Sequence, residues 1–233
     1  MATPGATIAN RIEDLIGDEY ATIPSLSYKD LINAAFNEFA DMVSEDLLLK
    51  YSATPTSVTS ASGVSVEGKK LLKIVRVDAN SSGIERECTP VDRAAYAQAK
   101  DSSSIYFATV YSPVYRLESN NAATTVEIAP SCNSDGQIGR IWTFAYATNS
   151  TDLTAITEAT LNTTHFLPNN AIHGIVLKSC INILQAYISN FIQDEEDQEM
   201  LQMIQAQLQG FQSAYQQEMS RFGVVEAGRP GSE

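Results

Sequence analysis

The side chains able to do chemistry are few in this chain and poorly spaced for it. Histidine, the residue suited to moving protons near neutral pH, occurs as His165, shortly before Pro168, and as His173 at the start of a long apolar stretch. Composition leaves a Ser-His-Asp triad open, but the sequence has no Gly-x-Ser-x-Gly turn to present a nucleophile. His173 reads as a solvent or packing residue rather than a base. No Gly-x-x-x-x-Gly-Lys or Gly-x-Gly-x-x-Gly cradle for phosphates occurs. Cys88, Cys132 and Cys180 are far apart and odd in number, without a Cys-x-x-Cys pair. They read as reduced, mostly buried thiols rather than as zinc ligands or disulfides.

The densest charged group is Asp194, Glu195, Glu196 and Asp197, followed by Glu199. A calcium loop places oxygen ligands at alternating positions around a glycine, and this run has no glycine. It reads as a solvated hinge, as the acidic first turn of a helix, or as a docking segment, and the sequence does not separate these. Lys69, Lys70, Lys73 and Arg76 form a basic cluster on one β-type run. Strand alternation puts Lys69 and Lys73 on one face and Lys70 and Arg76 on the other. That reads as a solvated strand end, or as a contact for an acidic neighbour. Trp142, Phe144 and Tyr146 alternate along another run and read as core aromatics beneath a sheet. A platform for stacking bases would interleave several cations, and only Arg140 is near. No catalytic residue, metal site or cofactor is expected, and the chain reads as something other than an enzyme.

The elements that would position these residues follow from apolar spacing. Ile8, Ile12, Leu15 and Ile16 predict a short amphipathic helix. Beyond Pro24, Leu31, Ile32, Ala35, Phe36, Phe39, Met42, Val43 and Leu47 predict one helix from Tyr28 to Tyr51. The chain then turns Ser/Thr/Pro-rich from Ser52 to Gly63. β-type runs follow at Leu71 to Val77 and Ile84 to Cys88, predicted as a hairpin, and at Ser104 to Val110, Thr124 to Ile128 and Arg140 to Ala147. A short helix fits Ala94 to Lys100. From Pro168, Ile172, Ile175, Val176, Ile183, Leu184, Tyr187, Ile188, Phe191 and Ile192 form a broad helical face. A second block carries the narrower stripe Met200, Ile204, Leu208, Phe211, Tyr215, Met219 and Phe222 on an otherwise Gln-rich helix. A thin stripe of this kind packs against one neighbour, which makes it a candidate subunit interface.

The expected class is therefore α+β: a helical bundle of the N-terminal and long C-terminal helices, with a β-rich insertion between them. The expected parts are N-terminal helices over 1–51, the β-rich insertion over 52–167, C-terminal helices over 168–222, and a flexible tail over 223–233. Val224, Val225 and Arg229 are the tail residues expected to anchor on a partner.

At 233 residues with 44% apolar content the chain can bury a sizeable core. Its net charge of −13 argues against a general binder of the phosphate backbone. The opening Met1 to Gly5 lacks a basic region followed by an apolar run, and no stretch approaches a membrane span. A soluble, cytoplasmically made protein is expected, which leaves the sequons at Asn80, Asn149 and Asn162 as chance matches.

Several of these features together resemble the head-to-tail adaptor (connector or neck) proteins of tailed bacteriophages. They are Tyr28-Lys29-Asp30-Leu31-Ile32-Asn33-Ala34-Ala35-Phe36-Asn37-Glu38-Phe39, the hairpin from Ile74-Val75-Arg76-Val77 to Glu87-Cys88, and Asp101 to Thr109 followed by Ser112-Pro113-Val114-Tyr115. The closing helices are the fourth, running from Ala171 through Asp194-Glu195-Glu196-Asp197 to Tyr215-Gln216-Gln217-Glu218-Met219. The resemblance covers Tyr28 to Phe222, and its motifs are diffuse. The β-rich middle is larger than in minimal, mostly helical adaptors. The resemblance implies a structural virion protein without an active site. It would form a ring, commonly of twelve copies, in the neck below the portal, joining capsid to tail and extending the DNA channel. Its partners would be itself, the portal and a downstream neck or tail protein, with DNA passing through unbound and no membrane involved. Asp194, Glu195, Glu196 and Asp197 become candidate channel-lining acids. The competing reading is a decoration or fibre-attachment module with a ligand surface on the Ser/Thr/Asn-rich β part.

Overall fold

Isoleucines at four-residue steps and a capping threonine start the first helix. In α1 (Ile8–Ile16), Ile8, Ile12 and Ile16 are buried, and Thr7 Oγ1 accepts from the Asn10 amide at 3.2 Å. The structure, a computed structural model, describes residues 6–23, 27–78, 83–120, 123–133, 137–191 and 198–222. The chain is mixed α+β, 49% helical and 23% strand, with a long C-terminal helix. It divides into two compact units, Met1–Tyr51 with Tyr146–Glu233, and Ser52–Ala145.

In the first unit the predicted helix from Tyr28 to Tyr51 is interrupted. α2 (Tyr28–Met42) stops where Val43 adopts an extended backbone, and α3 (Glu45–Tyr51) restarts after Ser44. The Ser44 carbonyl accepts from the amides of Leu47 and Leu48, each at 3.1 Å. The break lets both Val43 and Leu48 reach the core, where each is fully buried. α5 (Glu158–His165) leads into α6 (Ile172–Phe191), and α7 (Gln198–Met219) closes the unit. α6 is the centre of this unit and packs against α1, α2 and α7.

The segment around α6, Asn169–Asn190, is long and apolar enough to cross a membrane by length and composition, with mean hydropathy 1.3. The expectation that no stretch approaches a span is corrected there. Its apolar surface is mostly covered by neighbouring helices, as in the central helix of a bundle.

Residues 146–167 belong with the helices, although their composition grouped them with the β-rich stretch. The cause lies on the polar side of α2. Asn33 donates its side-chain amide to the carbonyls of Thr148 and Thr151, each at 3.0 Å. Asn37 donates to the Ala147 carbonyl at 3.0 Å and accepts from the Ala147 amide at 2.8 Å. Two asparagines one turn apart thus hold an irregular backbone that would otherwise lack partners. Arg11 pairs with Glu158 at 3.1 Å, and the Ile8 amide donates to the Ile156 carbonyl at 2.8 Å, which joins α1 to the same segment.

The second unit holds two four-stranded sheets. β1 (Thr56–Val58), β8 (Gly139–Ala145), β3 (Lys69–Asp78) and β4 (Ile84–Glu87) form one, in that order. β2 (Val64–Ser65), β7 (Ala123–Ala129), β6 (Val114–Asn120) and β5 (Thr89–Pro90) form the other. Val58, Ile74 and Ile141 from the first sheet and Val126 and Ile128 from the second share one core with Cys88 and Cys132. The expected β3–β4 hairpin is present, with Val77 opposite Glu85. α4 (Arg93–Lys100) packs Tyr96 and Ala99 against Ala108 and Ala129.

Two expectations fail in this unit. Strict alternation along β3 is broken by a register shift between Leu71 and Lys73 where it pairs with β8. Arg76 is buried, 2% exposed, rather than solvated at a strand end, because both faces of β3 are covered from Ile74 to Asp78. Its guanidinium donates to the carbonyls of Pro130 at 3.1 Å and Ser131 at 3.0 Å. The run Ser104 to Val110 is also not a strand, for reasons given below.

Candidate interaction site

The residues that could do chemistry stay apart from one another. His165 ends α5 with its ring edge-on to Phe36, centroids 5.5 Å apart, and burial holds its pKa below the ordinary value of 6.5. His173 is exposed. Burial pushes the Cys88 and Cys180 thiols up to about 12, which leaves them inert as nucleophiles near neutral pH. Among the described residues no group of three or more His, Cys, Asp or Glu side chains could hold a metal ion. A cleft of about 190 Å³ lies beside α4, lined by Ala99, Lys100, Phe107, Ala129, Pro130 and Ser131. It is smaller than the roughly 300 Å³ at which small-molecule sites begin, and it contains no acid–base pair.

The stripe on α7 faces largely inward. Ile204, Tyr215, Met219 and Phe222 are each at most 8% exposed, and the Phe222 ring meets Phe39 edge-on at 5.3 Å. These four belong to the core of their own subunit, so they are corrected as interface residues. The physical reason is that α6 packs along α7, while α2 meets the end of the stripe, where the Tyr215 hydroxyl reaches Met42 Sδ at 3.5 Å. Leu208 and Phe211 are half-buried, and Met200 remains open at 42%. The acids Asp194, Glu195, Glu196 and Asp197 and the tail residues Val224, Val225 and Arg229 lie outside the described residues. Of the three alternating aromatics, Phe144 is buried, Trp142 is half-buried, and Tyr146 lies past the end of β8, its hydroxyl bonded to Asp41.

The open apolar surface lies elsewhere, in the connection between α4 and β6. Ile105 is 91% exposed, Tyr106 66%, Phe107 42% and Tyr111 72%. Large apolar side chains exposed together on one loop mark an interaction site. The backbone beneath is fixed. Asp101 accepts from the Ser103 amide at 2.9 Å, and Ser104 Oγ accepts from the Tyr106 amide at 3.1 Å. The Ala108 amide donates to the Ala99 carbonyl at 2.9 Å and buries the Ala108 side chain, so the loop is anchored in its middle. The Arg86 guanidinium lies over the Tyr111 ring at 4.7 Å.

The run Ser104 to Val110, with Ile105-Tyr106-Phe107, has the composition of a strand. The missed signal is turn chemistry on both sides, Asp101-Ser102-Ser103-Ser104 before and Ser112-Pro113 after.

A second apolar opening lies on the helical unit. Met203 is 67% exposed, Met200 42% and Leu15 40%. Gln207, one turn beyond Met203, donates to the Leu15 carbonyl at 3.1 Å, and the Tyr187 hydroxyl reaches Met200 Sδ at 4.0 Å. Tyr187 in turn stacks edge-on with Tyr20 at 5.1 Å. The three open side chains therefore share one end of the α1–α6–α7 group.

Charge divides sharply between the units. Ser52–Ala145 carries nine Lys/Arg against nine Asp/Glu, a balance of zero. The helical unit carries six against nineteen, which is the whole net charge of −13.

No model of a known protein family matches the chain, and comparison with curated proteins gives no match.

Proposed function

We propose that this protein is a structural component of a tailed-phage particle, a head-to-tail adaptor. Its copies, twelve in the reading adopted here, form a ring beneath the portal that extends the DNA channel and joins capsid to tail. In this arrangement the helices from both ends of the chain make a bundle, and the β-rich unit is inserted within it. The partners are further copies of itself, the portal and a downstream neck or tail protein, and the protein resides in the virion neck.

The observation that carries the reading is the loop bearing Ile105, Tyr106, Phe107 and Tyr111. It presents apolar side chains to water on a hydrogen-bonded backbone, in a subunit whose remaining large side chains are mostly buried. Exposed apolar surface of this kind marks an interaction site, which suits a protein whose work is assembly. The electrostatics agree. A helical unit at −13, repeated around a ring, repels DNA phosphates and lets the duplex pass without adhering.

The test is the native mass of the purified protein with and without portal. A ring-sized assembly retained on portal is the expected result. A stable monomer or trimer indifferent to portal overturns the adaptor reading in favour of a decoration module.

A further inference from the structure

The two apolar openings differ in shape and in electrostatic setting. The loop carrying Ile105 and Tyr106 protrudes from a unit with no net charge, and Lys100, exposed at the end of α4, precedes it. The opening around Met200, Met203 and Leu15 has exposed acids at Asp14, Asp18 and Glu199, on a unit that holds all of the net charge. Methionine side chains are unbranched and polarisable, so they adapt to an inserted aromatic ring and make favourable sulfur–ring contacts.

We infer that the Ile105–Tyr106 loop of one copy docks on the Met200–Met203–Leu15 opening of a second copy. Charge selects this pairing over the alternatives. Two helical units brought face to face would set strongly acidic surfaces together, which Coulomb repulsion disfavours. Two loops brought face to face would leave the methionine opening in water. The loop-to-methionine contact covers both openings at once and sets a unit without net charge, in which exposed Lys100 and Asp101 offset each other, against the acidic one. Such a contact uses a different surface on each side, so the copy bound through its loop keeps its methionine opening and the other copy keeps its loop. The two surfaces left over can then pair with each other or take further copies. This inference rests on the self-assembly part of the proposed function, and it assigns the surfaces that carry it.

The test uses the full chain in two forms, each blocked on one side only. Ile105→Asp with Tyr106→Asp spoils the loop, and Met200→Glu with Met203→Glu spoils the opening. All four side chains are exposed, so thermal midpoints near that of the unaltered protein show that both forms fold. Native mass spectrometry and sedimentation are expected to give masses above the monomer for the unaltered chain and monomers for each form alone. An equimolar mixture is expected to give a dimer and nothing larger, because one intact loop then meets one intact opening. Assembly of either form like the unaltered chain overturns the inference, as does an unaltered chain that stays monomeric at high concentration. A mixture that stays monomeric also overturns it. Failure of the adaptor reading is separate: a chain that assembles through these surfaces but never binds portal overturns that reading alone.

Discussion

A Cβ built on Gly174 would lie 2.4 Å from the ring of Phe39, so α6 and α2 pack closer than any other residue at position 174 would allow. The ring cannot turn aside, because Phe39 is fully buried and its other side meets Phe222. In an open helix, Gly→Ala gains up to about 1 kcal/mol, while overpacking a filled core costs about 1–3 kcal/mol. The second effect wins at this position. Gly174→Ala is expected to destabilise the protein by about 1–2 kcal/mol in urea unfolding. Gly210, on α7, has nothing within 4 Å of its built Cβ. Gly210→Ala is expected to stabilise by up to about 1 kcal/mol in the same measurement. Equal signs for the two would refute the account of the α2–α6 contact.

His165 gives the helical unit a dependence on acid. Burial lowers its folded-state pKa below 6.5, so between the two values the unfolded chain binds the proton more readily than the folded one. Its contribution to stability is complete above the unfolded value and is lost as pH falls through the folded value. The thermal midpoint should therefore drop as pH falls from roughly 7 to 5. In His165→Gln that part of the slope should vanish. A slope identical to that of the unaltered protein would show that other groups govern it.

Arg76 organises the β unit from inside. Replacing it by methionine keeps an apolar stem of similar length but removes the donors to the Pro130 and Ser131 carbonyls. With each buried unsatisfied group costing about 1–3 kcal/mol, a loss of about 3 kcal/mol or more is expected. Lys69→Met, at an exposed position of the same strand, should stay within about 0.5 kcal/mol of the parent. Comparable unfolding midpoints for the two variants would contradict the role given to Arg76.

The adaptor reading makes its own demand on charge. With a Debye length of about 8 Å, only carboxylates close to the duplex affect its passage. Under that reading, lysine at Asp194, Glu195, Glu196 and Asp197 together slows genome ejection or traps DNA in the neck. Particles that assemble and eject at the parental rate would place this run away from the channel wall.

Local periodicity was enough to locate most of the regular structure. Ile8, Ile12 and Ile16 mark α1, the apolar face from Ile172 marks α6, and the turn after Asp78 marks the β3–β4 hairpin, because helical and strand spacings are properties of neighbouring residues. The net acidity of the chain was equally visible. Other features depend on what meets what across the chain. Asn33 and Asn37 find their partners in the backbone of 147–151, more than a hundred residues away in sequence. The α7 stripe fitted a neighbouring subunit until α6 and α2 covered Ile204, Tyr215, Met219 and Phe222. Arg76 is buried because both faces of β3 are covered from Ile74 to Asp78, which no alternation pattern contains. The apolar loop at Ile105 and Tyr106 has the composition of a strand. It remains in water because anchoring at Ala108 and turns on both sides hold it out of either sheet. Sequence spacing sets which faces are apolar, but only the tertiary structure decides which of them are already covered.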